Sequence, residues 1–129
     1  MRSSEPFSLV DYSATLDVSG STSLVPIGRG PPPSHDGLNV GFAELNQAPP
    51  HGGECHPDGD ELIVLISGDV SIMLEEEVAR TVVLQPGEAF IVPQGVWHRL
   101  LVHTPSRMIY LTRGRSMIRP LQQISGAEP

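Results

Sequence analysis

The feature that most limits the fold of this chain is the frequency of its turn residues. Thirteen glycines and thirteen prolines occur among 129 residues, and both residue types interrupt regular structure. From position 38 onward they separate short apolar or alternating runs, none of which has the length or the 3.6-residue period of a long helix. The runs lie at 38–46, 61–68, 69–75, 81–87, 89–93, 96–103 and 107–112. This pattern predicts an all-β protein, either a sandwich or a small barrel.

Two flanking segments differ in composition from this central region. Residues 1–37 are polar and serine-rich and include a proline-rich loop, with one predicted edge strand at 24–27. Residues 113–129 contain one predicted helical turn, formed by the apolar positions Met117, Ile118 and Leu121. We therefore expect a single barrel domain over 38–112, an N-terminal extension that packs on the barrel or on a partner subunit, and a C-terminal tail.

The charge and composition of the chain exclude several classes of partner. The formal net charge is −7, whereas nucleic acids and anionic membranes favour basic surfaces. No apolar run approaches the roughly 18 residues of a membrane span, and the N-terminus lacks the apolar segment of a signal peptide. The single cysteine allows no internal disulfide. These features predict a cytoplasmic protein that binds neither nucleic acid nor membrane.

One stretch of the chain, GGECHPDGDELIVLISG at 52–68, concentrates side chains that bind metal ions. Because side chains alternate between the two faces of an extended strand, Glu54 and His56 point to one face and Cys55 to the other. A turn sequence follows His56, and Glu61 then begins an apolar strand. We therefore expect the side chains of Glu54, His56 and Glu61 to converge in the interior.

A second stretch, GEAFIVPQGVWHRLL at 87–101, adds a histidine on a later strand. His98 shares its face of that strand with Leu100 and Val102, whose apolar side chains suit an interior. Two imidazoles and two carboxylates that meet inside a barrel form a set of metal ligands. The candidate ligands are Glu54, His56, Glu61 and His98.

The first stretch resembles the first sequence motif of the cupin family. In that motif His-x-His is followed, after three or four residues, by Glu and then, after six more, by Gly. Here ECH at 54–56, Glu61 and Gly68 have this spacing. Over this span, from 54 to 68, the departure from the motif is Glu54, which replaces the first histidine.

The second stretch resembles the family's second motif. There Gly is followed by five residues, Pro-x-Gly, two residues, His, and, after three more, Asn. Gly87, PQG at 93–95 and His98 fit this spacing without a gap, and Val102 replaces the final Asn. The resemblance covers residues 38–112.

This resemblance implies a cupin-type double-stranded β-helix, or jelly-roll barrel, that holds one divalent metal ion per chain. The ion would be Fe, Mn, Ni, Co or Zn, and the motif positions imply that His56, Glu61 and His98 are ligands. Cupins commonly pair, so the resemblance also implies a homodimer. A second subunit is one way to cover the apolar positions opposite Glu61, which are Leu62, Val64 and Ile66.

The role of Glu54 has three interpretations. As a ligand it gives a site of two histidines and two glutamates, which favours hard ions such as Fe(II) or Mn(II). Alternatively, it lies beside a three-residue site and acts as a general base. In the third interpretation the chain binds no metal, and the barrel is a binding pocket or a metal-free catalyst. The sequence leaves these alternatives open.

Five further residues have both a structural and a functional interpretation. His51 is a rival for the missing histidine, but a turn histidine explains it more simply. For Cys55 the simpler interpretation is a small residue that packs in the interior. For Trp97, packing is favoured over stacking on a substrate. For Arg107, a position on the surface is favoured over pairing with a carboxylate substrate. Tyr110 is the candidate to offer a hydroxyl to a substrate, since a buried tyrosine hydroxyl needs a partner.

Together these features predict a small metalloenzyme that acts on a small organic molecule by oxygenase, isomerase or lyase chemistry. The alternative is a non-catalytic cupin that binds or senses a small molecule, with or without a metal. The fold by itself does not decide between them. Turnover of a bound ligand distinguishes the enzyme from the sensor.

Overall fold

The protein is described from a computed structural model, which places residues 5–28 and 36–121. His35 and the last part of the predicted tail lie outside the described residues. The described residues form nine β-strands and no α-helix, so the all-β prediction is confirmed. The strands are β1 (Tyr12–Leu16), β2 (Thr22–Pro26), β3 (Leu38–Leu45), β4 (Gly53–Cys55), β5 (Glu61–Leu74), β6 (Arg80–Leu84), β7 (Ala89–Val92), β8 (His98–Arg113) and β9 (Met117–Arg119).

Two long antiparallel strands, β5 and β8, form the centre of the fold. Their register runs from Glu61 opposite Thr112 to Leu74 opposite His98, with shifts between Leu65 and Val70. The sequence predicted two shorter strands in place of each. Gly68 lies within the irregular segment with a φ of 99°, and a bulge of this kind bends a strand without ending it. Each pair of predicted strands is therefore one continuous strand.

The remaining strands extend this pair into a curled sheet. One path through the sheet has the order β2-β1-β3-β8-β4-β9, and β5 pairs with β6 and β7 as well as with β8. The inward side chains of β5, β6, β7 and β8 form the core. Its fully buried members are Ile63, Leu65, Val70, Ile72, Leu74, Leu84, Val92 and Met108.

Both flanking segments contribute strands to this sheet. The predicted edge strand at 24–27 corresponds to β2, and the structure adds β1, which pairs with both β2 and β3. The predicted helical turn after position 113 is wrong at Met117 and Ile118, because these residues form β9, which pairs with β4. The free edge of β4 supplies backbone hydrogen-bond partners that a sequence pattern cannot reveal.

No helix formed by the described residues is long and apolar enough to span a membrane.

We expect Gly68→Ala to destabilise the protein more than Gly87→Ala. Both glycines have a positive φ, 99° and 90°, so alanine at either position costs about 1–2 kcal/mol. A Cβ on Gly68 would in addition lie 2.6 Å from the carbonyl oxygen of Pro105, whereas one on Gly87 meets open space. The cost at Gly68 is therefore about 2–5 kcal/mol. Urea unfolding measures both losses, and equal losses would contradict the close contact.

Candidate metal centre

Three strands bring the candidate ligands to one place inside the sheet. Glu54 in β4 lies directly across the sheet from His98, the first residue of β8. His56 follows β4, and Glu61 begins β5 opposite Thr112 of β8. Residues directly opposite on neighbouring strands point to the same face. The register therefore directs side chains from both sequence motifs toward the same interior space, as the sequence predicted.

The Glu61 carboxylate lies between two imidazoles. Its Oε1 atom is 3.0 Å from Nε2 of His98 and 3.2 Å from Nε2 of His56, and all three side chains are buried. The two imidazole rings are 5.3 Å apart between centroids and tilted by 46°. Glu54 joins the group, because one ligand atom from each of Glu54, His56 and His98 lies within 4.8 Å of the others.

The hydrogen bonds of the imidazoles fit a bound cation. Nε2 of His56 is buried, with the residue 2% exposed. Oε1 of Glu61 lies 3.2 Å from this nitrogen, but the two atoms do not have the geometry of a hydrogen bond, and no other described residue supplies one. Nδ1 of His98 is 3.1 Å from the carbonyl oxygen of Val96, an acceptor to which only a protonated Nδ1 can donate. In the neutral ring, Nε2 of His98 then presents a lone pair to Glu61. Either a proton or a metal ion must therefore lie between these groups.

The distances also fit a divalent ion. Two ligand atoms about 2.1 Å from an ion, at right angles to each other, are about 3.0 Å apart. The separations of 3.0 Å and 3.2 Å between Glu61 and the two imidazoles match this value. These two separations are compatible with one ion between Glu61 and the imidazoles, while the three residues whose ligand atoms all lie within 4.8 Å of one another are Glu54, His56 and His98.

Two hydroxyl groups that the sequence analysis missed hold these side chains in place. Thr112 Oγ1 donates to Oε2 of Glu61 at 3.1 Å, and Ser116 Oγ lies 3.1 Å from Nδ1 of His56. Such partners orient metal-binding residues and fix the imidazole tautomer. Thr112 is recoverable from the sequence, because it shares the inward face of its strand with Tyr110. Ser116 is not, because it reaches His56 only through the turn that precedes β9.

The charges of the site shift the pKa of its carboxylates in opposite directions. Burial alone raises the pKa of Glu61, but the two neighbouring imidazoles outweigh burial and lower it to about 2. Burial, together with the charge of Glu61, raises the pKa of Glu54. For His98, burial lowers the pKa, but the hydrogen bond and charge of Glu61 outweigh it and raise the pKa. Glu61 is therefore the fixed anion of the site, and Glu54 is the carboxylate that more readily holds a proton.

The candidate centre opens into a cavity of about 310 Å³, a wall of which contains Glu54, Glu61 and His98. Tyr110 also lines this cavity. Its ring lies against Gly41, where a side chain would collide with it. Burial raises the pKa of the Tyr110 hydroxyl, which keeps the hydroxyl protonated. The predicted position of Tyr110 inside the barrel thus agrees with the structure, while a role in catalysis stays a prediction.

Four other residues are not members of the candidate metal-binding group. His51 Nδ1 accepts a hydrogen bond from the backbone N–H of Gly53 at 3.1 Å, which is a turn contact. Cys55 is a free, buried cysteine. The guanidinium carbon of Arg119 lies over the Trp97 ring, 4.5 Å from the centroid of that ring. Arg107 pairs with Glu44 at 3.3 Å on the surface. In each case the contacts agree with the structural interpretation.

The sequence model of the cupin domain family matches residues 45–113, which is more than half of the chain. The two motifs, the curled β-sheet and this match agree with one another. The chain belongs to the cupin family. No curated protein matches the sequence.

Solved cupin structures share the fold at low sequence identity. A cupin-2 domain-containing protein from Shewanella frigidimarina is 18% identical, with a TM-score of 0.50, over 59% of this chain and 70% of its own. Salicylate 1,2-dioxygenase from Pseudoaminobacter salicylatoxidans, solved with gentisate, is 18% identical, with a TM-score of 0.53. The match covers 63% of this chain and 24% of the dioxygenase chain. Oxalate decarboxylase from Bacillus subtilis, which has Mn(II) centres, is 18% identical, with a TM-score of 0.52. The match covers 64% of this chain and 23% of the decarboxylase chain. This chain thus matches about a quarter of each of these two enzymes, and the likeness shows the fold.

The contribution of the Glu61–His98 pair to the stability of the metal-free protein should be largest between about pH 4.5 and 6.5. The lowered pKa of Glu61, about 2 against 4.5, contributes stability above pH 4.5 that is lost as the pH falls. The raised pKa of His98, from 6.5, contributes stability below pH 6.5 that is lost as the pH rises. Melting temperatures measured across pH with a chelator present test this expectation. Glu61→Gln should remove most of the acid-side decline, and an unchanged decline in that variant would contradict the assignment.

Proposed function

We propose that this cupin is a metalloprotein that holds one divalent ion through His56, Glu61 and His98, with Glu54 as a fourth ligand. The observation that carries the proposal is the group of ligand atoms from Glu54, His56 and His98, which lie within 4.8 Å of one another around a buried Nε2 of His56 that makes no hydrogen bond of its own. A buried polar nitrogen without a partner is costly, and a metal ion satisfies it. Ser116 at Nδ1 of the same ring supports the ligand tautomer.

The four proposed ligands favour particular ions. Two imidazoles and two carboxylates form a set of mostly hard donors, which suits Fe(II) or Mn(II) and also accommodates Ni, Co or Zn. Such an ion, when bound, polarises a carbonyl or enolate oxygen or supports chemistry with dioxygen. The two carboxylates balance its charge, so the site as a whole is neutral.

We further propose that the protein is a small metalloenzyme of the oxygenase, isomerase or lyase type. The cavity at the proposed ligands gives a small organic molecule access to the ion, and it is lined by a protonated tyrosine hydroxyl. Glu54 also lines the cavity and has a raised pKa. If it is not a ligand, this carboxylate is placed to act as general base. The likeness to a dioxygenase and a decarboxylase supports this class, and binding without turnover would favour a sensor instead.

Elemental analysis of protein purified without chelator or nickel resin tests the ligand set. We expect about one divalent ion per chain, since the four proposed ligands would form a single site. Glu54→Gln should lower the metal affinity at least about 100-fold, because even partners of ligands contribute 10–100-fold. Glu77→Gln, which removes an exposed carboxylate outside the site, is the matched control.

Each contrary result has a distinct meaning. Metal affinity within about tenfold of wild type in Glu54→Gln would place Glu54 beside a site of three ligands. Absence of metal from the wild-type protein, even after anaerobic reconstitution, would contradict the metalloprotein proposal.

We also propose that the protein is a homodimer. One row of apolar residues crosses four paired strands on the outer face of the sheet: Phe42, Ile109, Val64 and Ala89. A parallel row contains Leu111, Leu62 and Ile91. A continuous apolar face of this kind is typical of a subunit interface.

Light scattering coupled to size-exclusion chromatography tests the dimer. The wild-type protein should have twice the mass of one chain. Val64→Arg should convert it to a monomer, because a charge in the centre of an apolar interface has no partner. Val83→Arg changes an exposed valine on β6, outside these rows, and should leave the dimer intact. A monomeric wild type, or a dimeric Val64→Arg variant, would contradict the proposed interface.

A further inference from the structure

The cavity has an unusual distribution of charge for a site that faces a cation. Among the residues that line it, Glu54 and Glu61 are the acids, and none is an arginine or lysine. The two carboxylates already balance a divalent ion. A carboxylate ligand would therefore give the site a net negative charge that no arginine or lysine of the cavity lining offsets, which is unfavourable in a partly desolvated site.

None of the arginines among the described residues lines the cavity. The sequence contains no lysine and eight arginines, of which Arg2 and Arg29 lie outside the described residues. Four of the others form ion pairs with carboxylates away from the cavity: Arg80, Arg107, Arg115 and Arg119. Arg113 donates to the backbone oxygen of Asp36, and Arg99 lies next to His98 in β8, so its side chain points to the opposite face.

The remaining lining is mainly apolar. The hydrocarbon walls come from strands of both flanking and central segments: Val25, Ala43, Leu45, Ile63, Leu100 and Met108. A volume of about 310 Å³ lies at the lower end of small-molecule pockets, which span about 300–1,000 Å³. The cavity therefore suits a small molecule with a hydrocarbon body.

Several polar groups of the lining are occupied by one another. Thr15 Oγ1 donates to Oδ1 of Asn39 at 2.8 Å, and Nδ2 of Asn39 donates to the carbonyl oxygen of Gly114 at 3.1 Å. The hydroxyl of Tyr110, in contrast, makes no hydrogen bond with any described residue. It is available to donate to an oxygen atom of a ligand.

From this lining we infer that the site accepts a small, neutral, largely apolar molecule that carries a carbonyl or hydroxyl oxygen, and that it discriminates against carboxylates. The inference rests on the proposed metal site, because the oxygen would approach the ion while the hydrocarbon body contacts the apolar walls. Tyr110 donates to the oxygen, and the absence of a cation disfavours an anion. The discrimination is a property of the cavity wall, separate from the ligands of the ion.

Salicylamide and salicylate are matched probes of this inference. They have nearly the same shape and the same two-oxygen arrangement, but the first is neutral and the second is an anion. In free solution the anion is the stronger ligand for a divalent cation, since opposite charges attract. A reversed order of affinity in the protein therefore has to come from the cavity.

Calorimetric titration of the Mn(II)-loaded protein measures both probes. Metal content is determined first by elemental analysis. We expect salicylamide to bind with a Kd below about 1 mM and at least about tenfold more tightly than salicylate. Tyr110→Phe should weaken the binding of salicylamide about fivefold, the usual effect of one lost hydrogen bond.

A charge variant isolates the cause of the selectivity. Ser13 lines the cavity on β1, and Ser13→Lys adds a cation to the wall. We expect it to raise the affinity for salicylate at least about tenfold with little change for salicylamide. Ser13→Met, which has similar length without charge, should leave the order of affinities unchanged.

The outcomes separate this inference from the proposed function. Salicylate binding as tightly as salicylamide to metal-loaded wild-type protein would overturn the inference and leave the metal site standing. Failure of both probes to bind below about 1 mM would also overturn it. Failure of the protein to take up Mn(II) would instead overturn the proposed function.

Discussion

The buried carboxylate of Glu61 is the group on which the rest of the site depends. A charged carboxylate inside a barrel is costly unless oppositely charged or hydrogen-bonding groups surround it. Two imidazoles and the hydroxyl of Thr112 supply those partners. The three partners come from separate places: His56 follows β4, His98 begins β8, and Thr112 lies at the other end of β8. The site therefore forms only when β4, β5 and β8 have assembled in the correct register.

The long antiparallel pair of β5 and β8 provides that register. It places Glu61 at one end of the pairing, opposite Thr112, and His98 at the other end, opposite Leu74. The curl of the sheet, with a bulged segment around Gly68, is what brings the two ends near each other. A flat sheet with the same pairing would hold Glu61 and His98 far apart, since each residue adds about 3.3 Å along a strand. The glycine that closes the first motif thus contributes to the candidate metal site from a distance.

The N-terminal hairpin has a larger role than its composition indicates. Ser13, Thr15 and Val25 of β1 and β2 line the cavity, and β1 pairs with β3 in the same sheet as the barrel strands. These residues set the polarity of the wall that faces a bound molecule. Differences in the N-terminal segment are therefore a direct way for a chain with this fold to change which molecules it accepts.

The sequence by itself determined the all-β class, the cupin family and the four candidate ligands, because these depend on local alternation and on spacing within two short motifs. It did not determine that β5 and β8 are continuous, that β1 exists, or that residues 117–119 form a strand, because these features depend on pairing with distant edges. The place of Ser116 in the site depends on tertiary structure for the same reason, because it contacts His56 from a position 60 residues away in the chain. The lining of the cavity was likewise decided by tertiary structure, which places Glu54 and Glu61 among mainly apolar residues there and leaves every described arginine outside the lining.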